Sequence, residues 1–212
     1  MIKKYLWHTT TPDTINWELG GQIYVQMDKY AQRFVTRYIY QRLPLHGTVF
    51  QQHPTTLCPI CKKNAETFEH FNACNENKET WKELIPILTQ IYNKHKVDPV
   101  LRLLINTAIV GESTHDMIAK EEHPWEEYST LIQEQRKIGW SQLKLGRYSN
   151  QWTWHQYRYA SQFDKRHTIS WLYQVIKKTW EYARLRWDYR NNTKFPKDKT
   201  KPVTQEQLFI RI

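Results

Sequence analysis

Leu57-Cys58-Pro59-Ile60-Cys61-Lys62-Lys63-Asn64-Ala65-Glu66-Thr67-Phe68-Glu69-His70-Phe71-Asn72-Ala73-Cys74 contains every cysteine of a 212-residue chain. Three thiols, an odd number packed within 17 residues, do not suit a disulfide framework. The spacing C-x2-C-x8-H-x3-C suits a metal. Zinc takes four soft or borderline ligands in a tetrahedron, and three Cys with one His form a closed structural set. The C-x2-C half presents two thiolates from a tight turn. The H-x3-C half puts a ring nitrogen and a sulfur at i and i+4, on one face of a helical turn. Cys58, Cys61, His70 and Cys74 are therefore expected to hold one structural Zn²⁺, with Lys62 and Lys63 offsetting the net negative charge of three thiolates on a dication. Because all four positions are filled by protein, no site remains for a catalytic water.

The motif also carries a family likeness. Cys58-Pro59-Ile60-Cys61, Glu66-Thr67, His70 and Cys74 resemble the zinc-binding region that follows the reverse transcriptase domain in LINE-type, non-LTR retroelements. In that family a helix and a Leu-Pro turn precede the first Cys, and Arg33 to Leu43-Pro44 stand in that place here. The likeness spans roughly residues 29–81, and Gly139-Trp140-Ser141-Gln142-Leu143-Lys144-Leu145-Gly146-Arg147 resembles stretches downstream of such regions. It implies the same four zinc ligands and an upstream reverse transcriptase domain as a partner. It implies no polymerase activity, since no Tyr-x-Asp-Asp occurs in the chain.

Outward from the motif the pattern is helical. Ile23, Met27, Tyr30, Phe34 and Ile39 recur at near-helical intervals between Gln22 and Arg42, and Pro44 ends the element. Residues 1–20 read as a looped entry. Asn75 or Asn77 would cap a helix through Trp81 and Leu84. Asp98-Pro99 is an N-cap and first helical position, with Gly111 as the stop. Residues 129–147 read as one helix ending at Gly146, and Asn150 to Phe163 as a polar, aromatic stretch. Ile169, Tyr173, Ile176, Trp180, Ala183 and Trp187 step by alternating fours and threes, a seam on a helix from Thr168 to Tyr189. The expected fold is mostly α-helical, with a small Cys₃His zinc module inserted between helices. Residues 1–111 would form the segment that carries the module (zinc site 58–74), and 112–128 an acidic connection. A basic, aromatic-rich helical segment would cover 129–192, and a flexible basic tail 193–212.

Charge points to the partner. The chain carries +10, with 10 Trp and 13 Tyr against 6 Gly. Residues 1–135 sum to −2 and residues 136–212 to +12, an asymmetry that favours a polyanion. Arg136, Lys137, Lys144, Arg147, Arg158, Lys165 and Arg166 are interleaved with aromatics. Cations of this kind neutralise phosphates, and exposed rings stack on unpaired bases. Trp152 and Trp154, in the polar stretch, are the expected stackers, while most other aromatics belong to the core. Arg33 and Arg37 share a helix face beside the zinc module, either as a solvated edge or as phosphate contacts.

Catalysis finds little support. Pro12-Asp13 lies upstream of the zinc motif and Asp164-Lys165 has no evident acidic partner, so neither fits a nuclease pattern. No apolar run approaches the ~18 residues of a membrane span, and the N-terminus lacks a signal-peptide core. The expectation is a soluble protein of the nucleus or cytoplasm that binds RNA or DNA without membrane contact. The alternative is a protein-interaction scaffold that docks a partner through Trp/Tyr-rich helices.

Overall fold

Asp28, Thr67 and Asp98 each start a helix as a side-chain cap, and other helices rest on their buried apolar faces. The computed structural model describes residues 7–47, 55–77, 79–111, 125–161 and 170–195. A 3-10 turn at Thr11–Thr14 leads to α1 (Trp17–Val25) and α2 (Lys29–Ile39). After the short α3 (Phe68–Ala73) and a 3-10 turn (Trp81–Glu83) come α4 (Leu84–Lys94) and α5 (Pro99–Val110). Next are α6 (Ser129–Ile138), a 3-10 stretch (Trp140–Leu145), α7 (Gln151–Ala160) and the long α8 (Ser170–Lys194). Among the described residues β-pairing is limited to two isolated bridges, Ile15 with Ser149 and Leu57 with Ala65. No helix among them is long and apolar enough to cross a membrane.

Several helix limits follow from single residues. Asp98 accepts from the Val100 N–H at 2.8 Å with Pro99 behind it, and Gly111 closes α5 at φ 89°. The expected single helix from Gln22 to Arg42 is two, because Asp28 turns extended and accepts from the Tyr30 and Ala31 N–H groups, starting α2 afresh. The expected helix over 129–147 stops at Ile138, where Gly139 takes φ 103°. The stretch after Asn150 is a helix, α7, whose buried side is Trp152, His155, Gln156 and Ala160. Polar residues at half of those positions hide its period.

The chain divides into two compact units that interleave in sequence, in place of the linear succession expected. The first is Met1–Ile23 with Trp81–Trp180, and the second Tyr24–Thr80 with Glu181–Ile212. The seam residues of α8 are buried at Ile176, Trp180, Ala183 and Trp187, so the helix contributes core to each unit in turn.

In the first unit Leu84, Leu88, Leu101, Leu104, Ile105 and Ile109 form an apolar interior. Gln135 is wholly buried and uses both ends of its amide. Its Oε1 accepts from the Ser149 N–H (3.1 Å) and Trp152 Nε1 (2.9 Å), and its Nε2 donates to the carbonyls of Arg147 (3.2 Å) and Gly139 (3.3 Å). Such satisfaction is what makes a buried amide tolerable. In the second unit Phe34 stacks on Tyr38 at 5.6 Å, Tyr38 donates to Asn72 Oδ1 at 3.0 Å, and Phe71 meets Trp187 edge-on at 6.0 Å.

Candidate metal centre and charged surface

The metal motif closes on itself before any ion is considered. Leu57 and Ala65 pair in an antiparallel bridge, with the Cys58 N–H donating to the Asn64 carbonyl at 2.8 Å. Between them the Lys62 N–H returns to the Cys58 carbonyl, and Lys62 sits at φ 54°. This knuckle brings Cys58 and Cys61 together. Thr67 then caps α3 by accepting from the His70 N–H at 3.1 Å, which sets the ring one turn before Cys74.

The ligand atoms of Cys58, Cys61, His70 and Cys74 all lie within 4.8 Å of one another. Cys58 Sγ is 4.0 Å from Cys74 Sγ, and Cys61 Sγ is 3.3 Å from His70 Nε2. A tetrahedral zinc with ordinary bond lengths would space its sulfurs ~3.8 Å apart and a sulfur and a nitrogen ~3.5 Å apart. The donor set and its spacing fit such an ion. Cys58 and Cys74 are buried, while Cys61 and His70 are half-buried.

The three thiols differ in how readily they ionise. Burial pushes Cys58 up to about 12, against the N–H groups of Cys61 and Ile60. Burial raises Cys74 as well, opposed by the Glu76 N–H. At Cys61 burial is outweighed by the N–H groups of Lys63 and Asn64 and by contacts with Cys58 and His70, leaving it at about 6. One thiolate is therefore ready, and the other two need a cation beside them to lose their protons.

Behind the ligands stands an ion pair that sequence reasoning missed. Arg190 donates from Nε and Nη2 to the two oxygens of Glu66 at 2.7 and 2.6 Å, both side chains being almost wholly buried. Glu66 Oε2 also accepts from the His46 N–H at 2.7 Å, and His46 Nδ1 lies 2.9 Å from the Leu57 carbonyl oxygen. One turn earlier, Arg186 donates to the carbonyls of Phe71 (3.0 Å) and Glu79. A signal was available. The step of three after Trp187 lands on Arg190, so a cation continues an apolar seam, and Arg186 stands one turn earlier beside it. The Glu66-Thr67 pair quoted above is a charge partner followed by a helix cap.

The expected nucleic-acid residues separate into three groups. Arg33, Arg136, Lys137 and Arg158 are exposed, and Arg37 is half-buried in a small groove of about 80 Å³ beside Tyr30 and Arg184. Lys144 is half-buried, its Nζ 4.9 Å from the Trp81 ring. Trp154 is 50% exposed, with the Arg158 guanidinium over its ring at 5.6 Å. Two expectations are corrected. Trp152 is wholly buried and bonded to Gln135, so it offers no stacking face. Arg147 is 3% exposed; it donates to Gln142 Oε1 at 2.6 Å and lies over Trp7 at 5.5 Å. Lys165 and Arg166 lie outside the described residues, as do 112–124 of the acidic connection and 196–212 of the basic tail.

Compared with protein-family models, curated proteins and solved structures, the chain matches none of them.

Proposed function

We propose that this chain is a zinc-stabilised nucleic-acid-binding protein without polymerase activity of its own, of the kind found in the C-terminal tail of a retroelement reverse transcriptase. The observation that carries the proposal is the convergence of Cys58, Cys61, His70 and Cys74 within 4.8 Å. Zinc would supply the positive charge that lets Cys58 and Cys74 ionise, and would fix the knuckle against α3. With every ligand position filled, its part is structural.

The nucleic-acid side rests on the cations that the fold leaves free to reach solvent. Arg186 and Arg190 count toward the +12 of residues 136–212, yet they serve the interior. Arg33, Arg136, Lys137 and Arg158 remain at the surface. The burial of Trp152, Trp171, Trp180 and Trp187 removes much of the aromatic surface that a docking scaffold would need.

Purified protein should contain about one zinc per chain by elemental analysis. With about four cations engaged on a duplex, log affinity should fall against log salt with a slope of about −4. Changing Arg136 and Lys137 together to Ala should make that slope shallower by up to ~2. A chain that shows no salt-dependent binding to RNA or DNA at low ionic strength would overturn the nucleic-acid reading.

A further inference from the structure

One cavity in the first unit belongs neither to the metal centre nor to the packed interior. It holds about 740 Å³, a size typical of small-ligand sites. Glu126 and Glu127 line it ahead of α6, and Asn150, Trp154, His155 and Arg158 line it from the α7 side.

Two of these residues are unusual. His155 is only 5% exposed, stacked on Tyr128 at 4.8 Å and met edge-on by Trp154 at 4.8 Å, yet its buried Nε2 has no hydrogen-bond partner among the described residues. An atom left unpaired in this way is costly, and a ligand edge reaching it would recover that cost. Trp154 beside it leaves half its surface open, with Arg158 above the ring.

We infer that this cavity receives one unpaired base of a nucleic-acid strand, with guanine the best fit. The inference rests on the nucleic-acid reading above and narrows it to a base. Stacking needs a flat apolar face, which Trp154 supplies. Arg158 offers a positive group for the adjoining phosphate. The carboxylates of Glu126 and Glu127 only accept hydrogen bonds, so they select a base edge rich in donors and repel the backbone. Guanine presents N1–H and the N2 amine on one edge, and base pairing hides both. The strand would therefore enter base first, single-stranded.

The test compares strands of equal charge. An abasic sugar-phosphate strand of about twelve units, a length within single-strand site sizes, is prepared with one central guanine, one central uracil, or no base. The guanine strand should bind the wild-type chain about 5–150-fold more tightly than the base-free strand, the range expected of one stacked base. Trp154→Ala should abolish that gain, so that the guanine strand binds no more tightly than the base-free strand, and Trp154→Phe should restore most of it. Thermal melting of both variants checks that the fold persists. Uracil should gain several-fold less than guanine; equal gains would overturn the guanine assignment. Equal binding of all three strands by the wild type, or a uniform loss in Trp154→Ala, would overturn the base site while phosphate binding stood. Binding to no strand at any salt would overturn both.

Discussion

The two units solve the same problem with different materials. The first is held by aliphatic and aromatic burial: Leu101, Leu104, Ile105, Leu143, Trp152 and Trp171 are all wholly out of water. The second buries Phe34, Val35, Tyr38, Leu43, Leu45, Phe71 and Trp187, and adds Cys58, Cys74, Glu66, Arg186 and Arg190 to the same interior. Where apolar side chains run short, a segment closes with directional polar contacts or a metal. Directional interiors fail differently. Losing a methylene from the first unit opens a void, whereas losing one ligand or one charge from the second strands its partners without solvent.

Removing the metal should break that contrast most forcefully. Structural zinc contributes about 10–16 kcal/mol of apparent binding energy in small modules at neutral pH. Chelation, or Cys58→Ser, should abolish metal content and the folding of the second unit. Hydrogen exchange should show α3 losing protection while α5 keeps it. Equal protection of α3 with and without zinc would show that the polar contacts suffice by themselves.

The ion pair is the next largest lever. Glu66→Gln leaves the Arg190 charge buried without its counter-charge, and breaking a buried pair costs about 3–5 kcal/mol. The double change Glu66→Leu with Arg190→Met removes both charges and should recover much of the loss. Denaturant melts of Glu66→Leu, Arg190→Met and the double measure this coupling. In the first unit the matching perturbation is Trp152→Ala, a large-to-small change costing about 3–5 kcal/mol. It also leaves Gln135 Oε1 with one partner fewer. Its effect on nucleic-acid affinity should be confined to the loss of folded protein, which distinguishes a core residue from a stacker.

The same contrast explains which features were legible in the sequence. The cysteine spacing, the Asp98-Pro99 start and Gly111 stop of α5, and the seam of α8 from Ile176 to Trp187 follow from local rules, and the structure keeps them; Tyr173 is half-buried and Ile169 lies outside the described residues. The Glu66–Arg190 pair joins positions 124 residues apart. Charged residues are seldom buried unless paired, and nothing local announces the partner. The burial of Trp152 is hidden from the sequence for a related reason. His155 and Gln156 make its neighbourhood look wet, but Gln156 is spent on the Asp98 N–H (2.9 Å) and the Lys96 carbonyl (3.3 Å). The division into units is not legible in the sequence because its boundaries fall inside helices, in α1 after Ile23 and in α8 after Trp180.

The smallest expected effect concerns acid, and it tests whether the first unit has a weak point of its own. Burial lowers the pKa of His155 below its ordinary value, partly offset by the Asp98 carboxylate. An unfolded histidine titrates near ~6.5. As pH falls below that value the unfolded chain takes up a proton that the folded ring still refuses, so stability declines until the folded pKa is passed. Above about pH 7 both states are neutral there and the contribution is flat. Melting temperature should therefore fall between pH 7 and pH 5.5 by more in the wild type than in His155→Gln, which has no proton to gain. Loss of a zinc ion bound as proposed would also act over this range, because thiolate and imidazole ligands compete with protons. The comparison is therefore read from hydrogen exchange of α6 and α7, which belong to the first unit. If the variant keeps the whole acid-induced loss in those helices, His155 is not the group responsible, and another group of the first unit carries that loss.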